Sequence, residues 1–179
     1  MTDETRRLQS IFEGWDGYQR ALVAAVVART PAELAHRPAP HLRSAGQIAS
    51  HIVAGRVGWF SRLDAPGSAE LVRAASAMAS EDAIADDPAE LVRWLDASWR
   101  VIADSLAQWT VADLDRTYIE TYQGTTYRVS WQWTLWRVMA HDVHHGGELA
   151  VTLGMQGIAL PELGDLGGHI VMPPVADGS

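Results

Sequence analysis

In the last third of the chain, apolar residues recur at steps of three and four, and two histidines fall among them. His141 and His145 share a stripe with Leu135, Val138 and Leu149. That period predicts an amphipathic helix from about Trp131 to about Leu153, roughly 35 Å long at 1.5 Å per residue. Ser130 caps its start, and Gly154 or Gly157 ends it as a left-handed C-cap. A helix that turns two imidazoles inward must find partners for four ring nitrogens, and each one left unpaired costs on the order of 1–3 kcal/mol. The rest of the fold has to cover this stripe.

Three further segments have the period to do so. Residues 3–29 carry Leu8, Ile11, Phe12, Trp15, Leu22, Val23, Val26 and Val27 on one side and end at Thr30-Pro31. A polar, proline-bearing connection follows, with Pro31, Pro38 and Pro40. Ser44 and Gln47 form a capping box for a helix bearing Ile48, Ile52, Gly55, Trp59 and Leu63. Residues 68–85 read as a loop with one short helix. Asp87-Pro88 opens a third long helix with Leu91, Trp94, Leu95, Ser98, Ile102, Leu106 and Trp109 inward. Thr110 to Asp113 reads as a single capped turn. Tyr118 to Val129, split by Gln123-Gly124, reads as a short hairpin. The expectation is an all-α four-helix bundle over residues 1–157, with a short β-hairpin before the last helix and an irregular tail over 158–179.

The residue types that are missing narrow the chemistry. The 179 residues include no cysteine, no lysine and no asparagine. Thiolate catalysis, disulfides, Schiff bases and a phosphate-loop lysine are therefore excluded. The formal charge of −8 argues against nucleic-acid and anionic-membrane partners, which need a basic face. No apolar run reaches the roughly 20 residues of a membrane span. The charged start, Met1 to Arg7, has no hydrophobic core behind it, so a cytoplasmic protein is expected. Of Trp131, Trp133 and Trp136, not all can face inward at that spacing; one or two should line a pocket or an oligomer interface.

Imidazoles at i and i+4 lie one turn apart, so His141 and His145 can reach one metal ion. His51 sits on the inward stripe of the second long helix and can close a three-histidine site with an open position, the ligation of catalytic rather than structural metals. Buried histidines that merely satisfy hydrogen bonds are the alternative. His144 points about 60° away and reads as a solvent-facing group or one behind the ligands. His141-Asp142-x-x-His145 also mimics a zinc-protease helix, but Asp142 is one methylene short of the general-base Glu and the chain lacks the accompanying sheet. A di-iron bundle needs two Glu-x-x-His motifs and further inward acids; Glu33-Leu34-Ala35-His36 lies in the proline-bearing connection.

The run His141-Asp142-Val143-His144-His145-Gly146-Gly147-Glu148 resembles the His-[Glu/Asp]-x-x-His-Arg-Gly-Gln segment of the DinB-like (YfiT-like) proteins. Arg37-Pro38-Ala39-Pro40 and Ser44 to His51 are similar to that family's approach to its second helix, and Tyr122 to Trp136 to its lead-in to the last one. The resemblance covers most of the chain. It implies a four-helix bundle holding one divalent metal, zinc or nickel first, through His51, His141 and His145. It implies a homodimer and a small-molecule substrate. Known members include thiol S-transferases and a thiol-dependent isomerase, so a low-molecular-weight thiol is an expected co-substrate. The alternative is a metal-stabilised binding or structural protein without turnover. Two residues depart from the pattern: Gly146 replaces an Arg and Glu148 a Gln. A cation for an anionic ligand would then come from Arg56 or Arg137. Asp142 reads as a carboxylate supporting a ligand histidine or as a solvated acid, and Glu148 as a candidate base or an exposed acid.

Overall fold

The computed structural model describes residues 4–76 and 84–164. Among these the chain is mainly helical, with one two-stranded antiparallel hairpin before the last long helix. The long helices are α1 (Gly14–Val27), α3 (Ala45–Phe60), α5 (Pro88–Gln108) and α6 (Trp131–Gly154). Shorter ones are α2 (Pro31–Ala35), α4 (Ser68–Ser76) and α7 (Pro161–Gly164). Helix α3 packs on both α5 and α6, and α1 closes the other side against the same two. Leu22, Val26, Ile48, Ile52, Leu91, Leu95, Ile102, Leu135, Val138 and Leu149 fill the space between them. No described helix is long and apolar enough to cross a membrane.

The caps fall where side chains can take the first free amides. Ser44 accepts from Gln47 N while Gln47 Oε1 accepts from Ser44 N, at 3.2 and 3.0 Å. Asp87 accepts from Ala89 N and Glu90 N, with Pro88 at the first helical position. Ser130 accepts from Trp133 N. Strands β1 (Thr117–Tyr122) and β2 (Thr125–Ser130) pair with Tyr122 opposite Thr125. Gln123 (φ 49°) and Gly124 (φ 79°) make the two-residue turn, both left-handed as a hairpin of right-handed twist requires.

Three expectations need correction. The first apolar segment is not helical from residue 3: α1 begins only at Gly14, after a 3-10 turn at Leu8–Ser10. The reason is competition for backbone hydrogen bonds. Leu8 N donates to Trp109 O, Val111 N to Arg6 O and Ala112 N to Glu4 O, so residues 4–8 pair with the end of α5 instead of with themselves. In the proline-bearing connection, Pro31 starts α2 rather than only stopping α1, because Thr30 and Glu33 form a capping box around it. The tail expected from residue 158 is packed at first: α7 places Leu163 in the core, with Ile158 and Leu160 against it. Residues 165–179 of that expected tail, with His169, lie outside the described residues, as do 77–83 of the predicted loop after α4.

At the centre lies an ion pair. Arg56 and Asp142 have no exposed side-chain area, and Arg56 Nη2 stands 2.8 Å from Asp142 Oδ2. Arg56 Nε donates to both carboxylate oxygens at 3.1 and 3.0 Å. Nη1 donates to Gln19 Oε1 at 2.7 Å and reaches Leu95 O at 3.4 Å. Trp15 Nε1 completes the shell by donating to Asp142 Oδ2 at 2.9 Å. All four long helices meet here. Breaking a buried pair from one side strands the other charge, at about 3–5 kcal/mol, whereas replacing both by apolar groups of similar volume is often neutral. Chemical denaturation should therefore show Arg56→Met and Asp142→Leu each losing about that much stability, and the double variant losing less than either.

Candidate metal centre

Helices α3 and α6 present three imidazoles to one another. His51 lies two turns into α3, whose start is fixed by the Ser44–Gln47 box. His141 and His145 lie near the middle of α6 on its inward stripe. The ring centroids are 5.0 Å apart for His51 and His141, 4.7 Å for His51 and His145, and 4.4 Å for His141 and His145. One nitrogen from each ring lies within 4.8 Å of the others. His141 and His145 are buried and His51 is half-buried, so the cluster sits at the edge of the core with one side toward solvent. Gly55, one turn beyond His51, makes the approach possible. A Cβ there would lie 2.5 Å from Cε1 of His141.

The electrostatics favour a neutral His141 ring with a free lone pair. Burial, the neighbouring His145 and His51, and the charges of Arg137 and Arg56 push His141 from its ordinary 6.5 down to about 3. Its Nδ1 is buried with no hydrogen-bond partner among the described residues, a cost that a bound cation would remove. Nδ1 of His145 stands 2.8 Å from Glu148 Oε2. As donor to a carboxylate it carries the ring proton, which leaves Nε2 as the lone-pair donor. Three imidazoles of this kind suit a borderline divalent ion such as zinc or nickel. The donor set and the orphaned nitrogen therefore both fit a metal.

The other candidate residues are divided by burial. Glu148 is half-buried and engaged with His145, so it is neither a free base nor a fully exposed acid. Asp142 is not a solvated acid, and it touches no histidine among its hydrogen-bond partners; it faces Arg56 and Trp15. Arg56 is spent on that pair and turned away from solvent, so it is not available to an anionic ligand arriving there. Arg137 is half-buried beside the site, with its guanidinium carbon 5.9 Å from the Trp59 ring centroid. His144 is exposed and meets His145 only edge-on, with the rings 4.8 Å apart. Gly146 is explained by Tyr18: any Cβ at 146 would run into the Tyr18 hydroxyl, which donates to Val143 O at 3.2 Å. Sequence reasoning overlooked Trp15 and Gln19 as partners of the ion pair and Gly55 as the seat of His141. A glycine in the middle of an apolar helical stripe was the available signal for the last, since it marks a close approach.

Removing Glu148's carboxylate charge should weaken the centre without unfolding it. Outer partners of ligand histidines typically contribute 10–100-fold in metal affinity. Competition titration with zinc or cobalt is expected to show Glu148→Gln weakened by about that range, His145→Ala without tight binding, and His144→Ala near wild type.

Residues 15–149 match the family described as the DinB superfamily. That stretch includes the ion pair, all three clustered histidines and Glu148. No curated protein and no solved structure matches the chain. By the match over 15–149, most of its length, the chain belongs to the DinB superfamily.

Proposed function

We propose that this is a metal-dependent transferase: a four-helix bundle of α1, α3, α5 and α6 that uses one divalent ion at His51, His141 and His145 to activate a low-molecular-weight thiol, or water, for attack on a small electrophile. The observation that carries the reading is the convergence of the three imidazoles, from two helices, at a solvent-facing edge of the core. Bound there, the ion supplies a positive charge that lowers the pKa of a thiol or water beside it to near neutrality. The chain supplies the rest. Glu148 holds His145 in one tautomer and orientation. Gly55 seats His141 against α3. The Arg56–Asp142 pair fixes the separation of the two ligand helices. With no cysteine in the sequence, the thiol must come from outside. A cytoplasmic location is consistent with this, since thiols are kept reduced there.

The alternative, a metal-stabilised protein without turnover, draws less support. The ion pair gives the four long helices a meeting point that involves none of the three histidines.

Elemental analysis of untagged protein should find about one divalent metal per chain. The zinc- or nickel-loaded protein, given small thiols and a chloro-dinitroarene, should form the thioether conjugate at a rate that His141→Ala abolishes. Metal-independent conjugation, or none with any thiol, would sink the transferase reading.

A homodimer is part of the proposal. Trp136, Val143 and Val151 on α6, and Met155 just after it, are each more than half exposed, and apolar surface of this kind is commonly covered by a symmetric partner. Light scattering should give twice the chain mass, and Val151→Arg should shift the population toward monomer.

A further inference from the structure

The cations around the centre are not equivalent. Arg56 is sealed inside with Asp142. Arg62 lies over Trp59, its guanidinium carbon 4.8 Å from the ring centroid, and is neutralised by Glu120 through two hydrogen bonds of 2.9 and 3.2 Å. Arg137 shares the same indole, at 5.9 Å, but pairs with no carboxylate among the described residues. It is half-buried, and it precedes His141 by one helical turn, about 6 Å along the axis. Its charge is among those felt by the His141 ring. In a chain of net charge −8, an arginine left without an acid beside the three histidines is a local exception.

Two indoles stand beside Arg137 at this end of the centre. Trp59 and Trp133 meet edge-on at 5.6 Å, and Trp133 keeps 44% of its surface exposed. Gly55 keeps α3 low against His141. A guanidinium held over an indole is positioned in advance and keeps its N–H groups at the ring edge for a planar, bidentate acceptor.

We propose that Arg137 is the specificity-determining residue of this centre, and that it selects ligands carrying a carboxylate about one helical turn from the group presented to the three histidines. Trp59 and Trp133 form the apolar wall along which the intervening carbons lie. The inference rests on the metal-centre reading and adds the ligand's charge to it.

The test uses the cobalt(II)-loaded full chain and reads dissociation constants from the cobalt absorption spectrum, with no turnover required. The probes are mercaptoacetate against 2-mercaptoethanol, and malonate against acetate. Wild type should bind the anionic thiol and the dicarboxylate about tenfold or more tighter than their counterparts, as one charge-assisted contact allows. Arg137→Gln should abolish both preferences while leaving 2-mercaptoethanol, metal content and circular dichroism unchanged; Arg137→Lys should restore part. Equal affinities in wild type, or preferences that survive Arg137→Gln, would overturn the proposal. Malonate preference that depends on Arg137, with neither thiol bound, would uphold it while refuting thiol activation.

Discussion

The Arg56–Asp142 pair sets the geometry on which everything else rests. Each charge is fully buried, so each is tolerable only while the other stays within hydrogen-bond distance. The two residues are the sequence neighbours of Gly55 and His141, which also touch. Two successive residues of α3 thus engage two successive residues of α6. That double contact fixes the rotation and the depth of one helix against the other. His51 and His145, one turn away on either helix, inherit their positions from it. Trp15 and Gln19 on α1 and the Leu95 carbonyl on α5 bring the remaining helices to the same point.

Much of this was legible in the sequence where a local rule acts alone. The Ser44–Gln47 box, Asp87-Pro88, Ser130 and the Gln123-Gly124 turn need only neighbours in the chain, and each forms as read. The inward stripes placed His51, His141 and His145 on facing helices. Readings failed where a distant partner decided the outcome. Leu8 and Ile11 continue the α1 periodicity, yet their segment hydrogen-bonds to the end of α5, some hundred residues away. Asp142 lies on α6 between an inward and an outward position. Only knowledge of Arg56 on α3 could show that it faces the interior. Arg56 was read as a free cation for the same reason, from the other side.

The two departures from the family-like motif have different physical meanings. Gly146 belongs to the packing of α1 on α6: the Tyr18 hydroxyl occupies the space a side chain would need, and burial raises the Tyr18 pKa further above its ordinary value. A larger residue at 146 would require Tyr18 to move and with it the Val143 contact. Glu148 belongs to the site itself. A glutamine amide there could also accept the His145 proton, but without charge. The carboxylate makes the ring a stronger donor to any cation and adds a negative charge at the rim.

That negative charge bears on which ligands the rim can accept. Glu148 follows His145 by three residues and Arg137 precedes His141 by four, so the two lie at opposite ends of the histidine cluster on one side of α6. An anionic group entering near Glu148 meets repulsion, and near Arg137 attraction. A neutral ligand has no such gradient to follow. Burial above all, then the neighbouring His145 and His51, lower the His141 pKa, so that ring adds no charge to mask this polarity. The site is therefore electrostatically directional along α6 before any ligand arrives, and the direction is set by residues on either side of the histidines rather than by the histidines themselves.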